Sequence, residues 1–139
     1  MDERIISFIK AQTALTFATV KDDIPYCATC YYAFIPERNS LVIKSGPETQ
    51  HIQQALENTN IAGTIVPDKL LKTKVQGLQF QGTFVVPEND MLSDAKSAYY
   101  VKYPFAIAIS GELWVLDLTS LKFTDNTLGF GKKLKWNKK

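Results

Sequence analysis

Two hydrophobic periods alternate along the chain and mark out its elements. Residues 2 to 11 carry Ile5, Phe8 and Ile9 at i, i+3 and i+4, and Asp2 stands where it would cap the start. This is the spacing of one buried helix face, so a short amphipathic helix is predicted, lying as a lid on the core. From Thr13 to Val20 β-branched and apolar residues dominate, Lys21, Asp22 and Asp23 form a polar turn, and Ile24 to Ile35 resumes strand character. That sequence predicts a hairpin. A turn at Pro36 to Ser40 leads into a strand from Leu41 to Lys44, and Ser45-Gly46-Pro47-Glu48 follows with the Ser-x-x-Glu spacing of a capping box. The helix expected there would bury Ile52, Ala55 and Leu56 and end near Asn58, before an apolar strand from Ile61 to Val66.

The second half continues in the same manner. Between Lys74 and Val86, the residues Leu78, Phe80, Phe84 and Val86 alternate with Gln79, Gln81, Thr83 and Val85, which predicts the longest strand, with one wetter face. Residues 90 to 103 repeat Leu92, Ala95, Ala98 and Tyr99 at helical spacing and stop before Pro104. Glu112 to Leu118 and Leu121 to Thr124 read as closing strands. Strands joined by tight turns, without regular alternation with helices, argue for a mainly β fold. The expected architecture is an antiparallel six- to seven-stranded barrel with three short helices, and not a doubly wound sheet.

Composition narrows the class. At 139 residues and 45% hydrophobic content, the chain is long enough for one sizeable core and too short for two ordinary domains, so residues 1–139 are expected to form a single domain. No apolar run approaches the roughly 20 residues that cross a bilayer. The N-terminus opens with Asp2, Glu3 and Arg4 in place of a basic segment leading into an apolar one, which predicts a cytoplasmic protein with no membrane partner. Of the net charge of +2, five lysines fall within residues 132–139, which leaves −3 for the 131 residues before them. A nucleic-acid surface needs a basic face with stacking or reading groups, and here only the tail is basic. The tail is expected either to be solvated or, with Trp136, to anchor itself or fold over an anionic cofactor.

Few residues offer chemistry of their own. Cys27 and Cys30 form a Cys-x-x-Cys pair, but in a strand two residues three apart point to opposite faces, and redox pairs sit at helix N-termini. Zinc would need two further ligands, and the chain has one histidine, His51. Two reduced, largely buried thiols are expected. A lone His51 with no located nucleophile does not make a hydrolytic triad. Gly129-Phe130-Gly131-Lys132-Lys133 lacks the spacing of a phosphate-binding loop. Chemistry is therefore expected to reside in a bound cofactor. The informative stretch is Lys44-Ser45-Gly46-Pro47-Glu48-Thr49-Gln50-His51, where a strand runs into a helix start that carries two hydroxyls, a cation and an imidazole. Such a start is a ready anion site. Equally, Ser45 is a simple cap, Lys44 is solvated and His51 lies on the rim.

The order Thr13 to Val20, Ile24-Pro25-Tyr26 to Phe34, Leu41 to Ser45, Thr49-Gln50-His51 and Asn58 resembles the pyridoxamine 5′-phosphate oxidase-like FMN-binding split-barrel superfamily over nearly the whole chain. Within it, the chain is similar to a small uncharacterised branch that shares Thr13-Ala14-Leu15-Thr16, Pro25 to Cys30, Gln76 to Phe80, Gly111 to Trp114 and Thr124-Asp125-Asn126 through Gly129-Phe130-Gly131-Lys132-Lys133. The resemblance implies that Ser45 and Thr49 hydrogen-bond an FMN phosphate, with His51 where the superfamily often has Lys or Arg, and with Lys44 or Lys74 compensating. It further implies that Thr29, Cys30 and Tyr31 run beside the flavin ring. Gln76 and Gln79 would reach the cofactor from the partner subunit of a homodimer with sites at its interface; cross-strand pairing is the plainer role for both. The expected function is an FMN-dependent oxidoreductase acting on an unknown small molecule. The alternatives are a non-catalytic module holding FMN, haem or a deazaflavin, or a barrel that has lost its cofactor and serves as an interaction domain.

Overall fold

The computed structural model describes residues 1–129 and 132–139; Phe130 and Gly131 of the Gly-Phe-Gly motif lie outside the described residues. Helix α1 (Glu3–Ala11) starts as expected, with the Asp2 carboxylate accepting the Arg4 N–H, and it buries Ile5, Phe8 and Ile9. Strands β1 (Ala14–Lys21) and β2 (Ile24–Ile35) form the hairpin, Asp22 and Asp23 taking the left-handed conformation at its turn. Then come β3 (Ser40–Ser45), α2 (Gln50–Glu57), β4 (Asn60–Ile65), β5 (Gln76–Val85), α3 (Asn89–Lys102), β6 (Glu112–Asp125) and β7 (Lys133–Asn137). No helix among the described residues is long and apolar enough to cross a membrane.

The strands make one antiparallel sheet in the order β3-β2-β1-β4-β5-β6-β7, and β3 also pairs with β6, which closes six strands into a ring. The closure is partial. β2 meets β3 only from Tyr32 to Ile35, whereas its earlier residues Ile24 to Tyr31 pair with β1 alone. The edge of β2 is therefore free along that length, and the barrel is split there.

Two layers of core hold the ring. Phe17, Tyr32, Leu41, Ile43, Ile65, Leu78, Leu116 and Phe123 fill the interior under α1 and α2. On the outside, Ala33, Ile35, Val42, Leu113 and Val115 are covered by Ala95, Tyr99, Tyr103 and Ala106 of α3 and the 3-10 turn Pro104–Ala108. Strands covered on both faces read as continuous apolar runs, as in Tyr32 to Ile35, whereas β5 alternates because its outer face is wet.

Several expectations are corrected. The two predicted closing strands are one 14-residue strand, β6, which is longer than β5; a register shift opposite Gln81 and Gly82 carries it past Thr119 without a break. The seventh strand is instead the basic tail, whose Leu134 and Trp136 pack on the core while its lysines face outward. Helix α2 begins after Thr49 and not at Ser45, because Pro47 holds Gly46 out of helical conformation and the Thr49 N–H closes a turn onto the Gly46 carbonyl. Leu56 and Val86 are exposed, and so is Cys27, against the expectation of two largely buried thiols.

Gly63 in β4 sets the thickness of the barrel wall. A Cβ there would run into the Phe80 ring and stand 2.5 Å from the Thr16 carbonyl oxygen. Replacing Gly63→Ala is expected to lower unfolding free energy by about 1–3 kcal/mol, read from urea denaturation followed by tryptophan fluorescence.

Candidate functional site

The strand that closes the ring also delivers the polar residues of the split. Two residues beyond the Tyr32–Ile43 pair, Ser45 has no partner on β2 and pairs only with Glu112 of β6. The turn Gly46–Thr49 then swings the chain into α2. Three side chains converge at this point. Ser45 Oγ lies 2.7 Å from His51 Nε2, and Thr49 Oγ1 lies 3.4 Å from the same nitrogen while donating to the Gly46 carbonyl at 2.8 Å. The Trp114 indole N–H fixes the Ser45 carbonyl at 2.9 Å, and the Phe17 ring meets the His51 imidazole edge-on at 5.7 Å.

The helix start favours an anion, against two nearby carboxylates, Glu112 directly opposite Ser45 on β6 and Glu48 in the turn beside Gly46. Thr49 occupies the N-cap position but its hydroxyl makes no cap bond, and the first turn of α2 holds no carboxylate. The N–H groups of that turn have no intrahelical acceptor, and the helix dipole is positive there. Partial burial lowers the His51 pKa from its ordinary value of 6.5, so the imidazole is neutral at neutral pH and shares one hydrogen bond with Ser45.

The other candidates are distributed over different faces. Lys44, one residue before Ser45 on the strand, points the opposite way: its ammonium donates to the Ala106 carbonyl at 2.7 Å and lies 5.0 Å from the Tyr100 ring centroid. Tyr31 faces outward on β2, its ring 5.5 Å from that of Tyr103, and Thr29 shares that face, its hydroxyl 3.0 Å from that of Thr16. Cys30 turns inward, where burial pushes its thiol up to about 11. Burial, with help from Cys30 and neighbouring phenols, pushes Tyr99 up to about 12. Gln76 donates to the Asp125 carboxylate at 2.9 Å beneath α1. Gln79 stands exposed on the outer face of β5, between Thr64 and Lys122. The structure thus gathers Ser45, Thr49 and His51, sets Thr29 and Tyr31 on the neighbouring strand, and leaves Lys44, Gln76 and Gln79 elsewhere.

A feature absent from the sequence reading is a groove of about 610 Å³ on the outer face of the sheet, lined by Thr16, Ala18, Thr64, Gln79, Lys122 and Lys135 among others. The alternation Lys133, Leu134, Lys135, Trp136 was the signal that the tail is a strand. Which residues line the groove with it depends on register, which periodicity does not supply.

No protein-family profile matches the chain. Its fold is found in solved structures of low sequence identity. A heme binding protein from Mycobacterium smegmatis matches at a TM-score of 0.79 with 17% identity, over 94% of this chain and 55% of that one, so this chain spans about half its length. A FAD-binding protein from Mesorhizobium loti matches at 0.72 with 14% identity, over 90% of this chain and 94% of that one. A protein related to general stress protein 26, of the pyridoxinephosphate oxidase family, from Clostridium acetobutylicum matches at 0.68 with 12% identity, over 99% of this chain and 96% of that one. These likenesses establish a split β-barrel. In sequence, the chain is 32% identical over 131 residues to a UPF0306 protein of Photorhabdus laumondii, an alignment that covers 94% of this chain and 92% of the relative. Identity of that order along almost the full length of both proteins makes this chain a member of the UPF0306 family.

Proposed function

We propose that the chain binds FMN at the split between β2 and the β3–α2 turn and acts as a flavin-dependent oxidoreductase on a small molecule, working as a homodimer. The observation that carries this reading is the convergence of Ser45, Thr49 and His51 on the uncapped first turn of α2. Two hydroxyls, an imidazole and free N–H groups form a donor set suited to a phosphate monoester. The free edge of β2 beside it offers unpaired backbone donors and acceptors, which suit the polar rim of a planar ring. Support also comes from likeness of fold to a FAD-binding protein and to a member of the pyridoxinephosphate oxidase family.

In this reading Ser45 donates to a phosphate oxygen, Thr49 turns its hydroxyl from the Gly46 carbonyl to the same group, and His51 turns its Nε2 from Ser45 to it. Lys44 takes no part, being held by Ala106. Bound FMN supplies hydride and electron transfer. Cys30 and Tyr99 keep their protons at neutral pH, so the protein's part at these positions is to orient and shield. A second occupant, haem, is disfavoured by the engagement of the chain's one imidazole with Ser45.

Titration of FMN against the purified protein, followed by quenching of flavin fluorescence, is expected to saturate in the micromolar range or below. Ser45→Ala and Thr49→Ala should each weaken binding roughly tenfold or more, the worth of a hydrogen bond to a charged group. No binding at micromolar FMN would overturn the reading. Reduction by NADH or NADPH with reoxidation faster than free FMN would establish the enzyme, whereas binding without turnover leaves a carrier.

The pH dependence follows from His51. Its folded pKa lies below the unfolded value, so the unfolded chain takes up a proton more readily. The neutral ring's contribution to stability is complete above about 6.5 and is lost as pH falls through that value and below. Thermal melts of the ligand-free protein between pH 8 and 5 should therefore fall more steeply for wild type than for His51→Gln. FMN affinity should move the other way, rising from pH 8 to 6.5 as a phosphate dianion draws a proton onto the imidazole, and the slope should vanish in His51→Gln.

A further inference from the structure

The outer groove has an electrostatic feature that folding alone does not explain. The register of five strands places Thr16, Thr64, Gln79, Lys122 and Lys135 in one row across the sheet, each directly opposite the next. Neighbouring strands are about 4.8 Å apart, so the row spans about 19 Å and grades from hydroxyls through an amide to two ammonium groups. Lys122 and Lys135 form a directly opposed pair of like charge, an arrangement that costs sheet stability. Neither forms an ion pair among the described residues, although Lys138, three residues beyond Lys135, pairs with Asp117 at 2.7 Å. Among the described residues no carboxylate lines the groove, and its floor is kept low by the small outward side chains of Ala18 and Ala62.

We propose that this groove is a second binding site, for a small organic anion of at least two negative charges, a polycarboxylate or a phosphate ester. Its charged head sits between the Lys122 and Lys135 ammonium groups, and its body lies along Gln79 and Thr64. A concave site with two unneutralised cations and a polar wall attracts such a ligand, and an anion between the lysines removes their mutual repulsion. The charged end of the groove is separate from the Ser45–His51 cluster, while at its other end Thr16 stands directly opposite Thr29 of β2, their hydroxyls 3.0 Å apart. Thr16 and Ala18 face out into the groove, whereas Phe17 between them turns inward and meets His51.

The test is a titration of the full-length, ¹⁵N-labelled protein at low salt with citrate and, separately, with inorganic pyrophosphate. Saturable amide shifts at Gln79, Lys122 and Lys135 are expected with at least one probe, weakening as salt is added. The preferred probe tells carboxylate from phosphate chemistry. The double variant Lys122→Gln/Lys135→Gln should bind that probe roughly tenfold or more weakly. It should also melt higher than wild type without ligand, since the opposed charges are gone. Lys138→Gln should leave affinity unchanged. Shifts confined to the first turn of α2 would place the anion at the other site and overturn this proposal. So would unchanged affinity in the double variant, or the absence of shifts with both probes.

Discussion

The fold depends on the six-residue strand β3, which is paired on both sides for only part of its length. From Ser40 to Ile43 it lies between β2 and β6 and closes the ring; at Lys44 and Ser45 it keeps β6 and loses β2. An antiparallel sheet that closes fully has no edge, and one that closes partly must protect or use the edge it leaves. Here the chain leaves β3 through a proline turn and returns as α2, whose Ile52 and Ala55 cover the interior at that end. One interruption in pairing therefore creates the free edge of β2, the Ser45–His51 cluster and the helix start beside it.

Much of this was legible in the sequence, for reasons that can be named. Helix α1, the first hairpin and α3 are specified locally, by apolar spacing, a cap and a proline stop, and all three appear at the expected positions. The errors fall where the deciding contact is distant. Nothing local tells Glu112–Leu118 and Leu121–Thr124 that they form one strand, because the bulge between them is fixed by pairing with β5. The Ser-x-x-Glu pattern at Ser45 was outweighed by Pro47, whose effect on Gly46 moves the helix start to Thr49. The tail's lysines dominate its composition and hide its strand period; Trp136 anchors it as expected, and Leu134, two residues earlier, packs on the core beside it.

The candidate site shows the same division. That Ser45, Thr49 and His51 belong together was readable, since a strand-to-helix junction brings residues within six positions to one point. Lys44 stands apart for a reason equally elementary: adjacent strand residues point to opposite faces, so the nearest cation in sequence lies across the wall from the cluster. The cluster is thereby left with hydroxyls, backbone donors and one titratable ring, while the charged neighbours nearest it are carboxylates, Glu112 opposite Ser45 and Glu48 beside Gly46. A site of that composition binds an anion by hydrogen bonds and gains charge only by taking up a proton, which ties its affinity to pH.

The same period of two runs through β1 and separates the two anion-friendly features of the molecule. Phe17 turns inward to the His51 ring, while Thr16 and Ala18 turn outward into the groove where Lys122 and Lys135 oppose one another. A wall one residue thick therefore carries a neutral, protonatable site on one face and a fixed dication on the other. Gly63, opposite Phe17, makes that wall thin enough for Phe80 and the Thr16 carbonyl to approach its backbone closely. Tight packing at Gly63 holds the backbones of β1 and β4 in one arrangement, and Thr16, whose hydroxyl meets that of Thr29, joins the rim of the groove to the strand that borders the split.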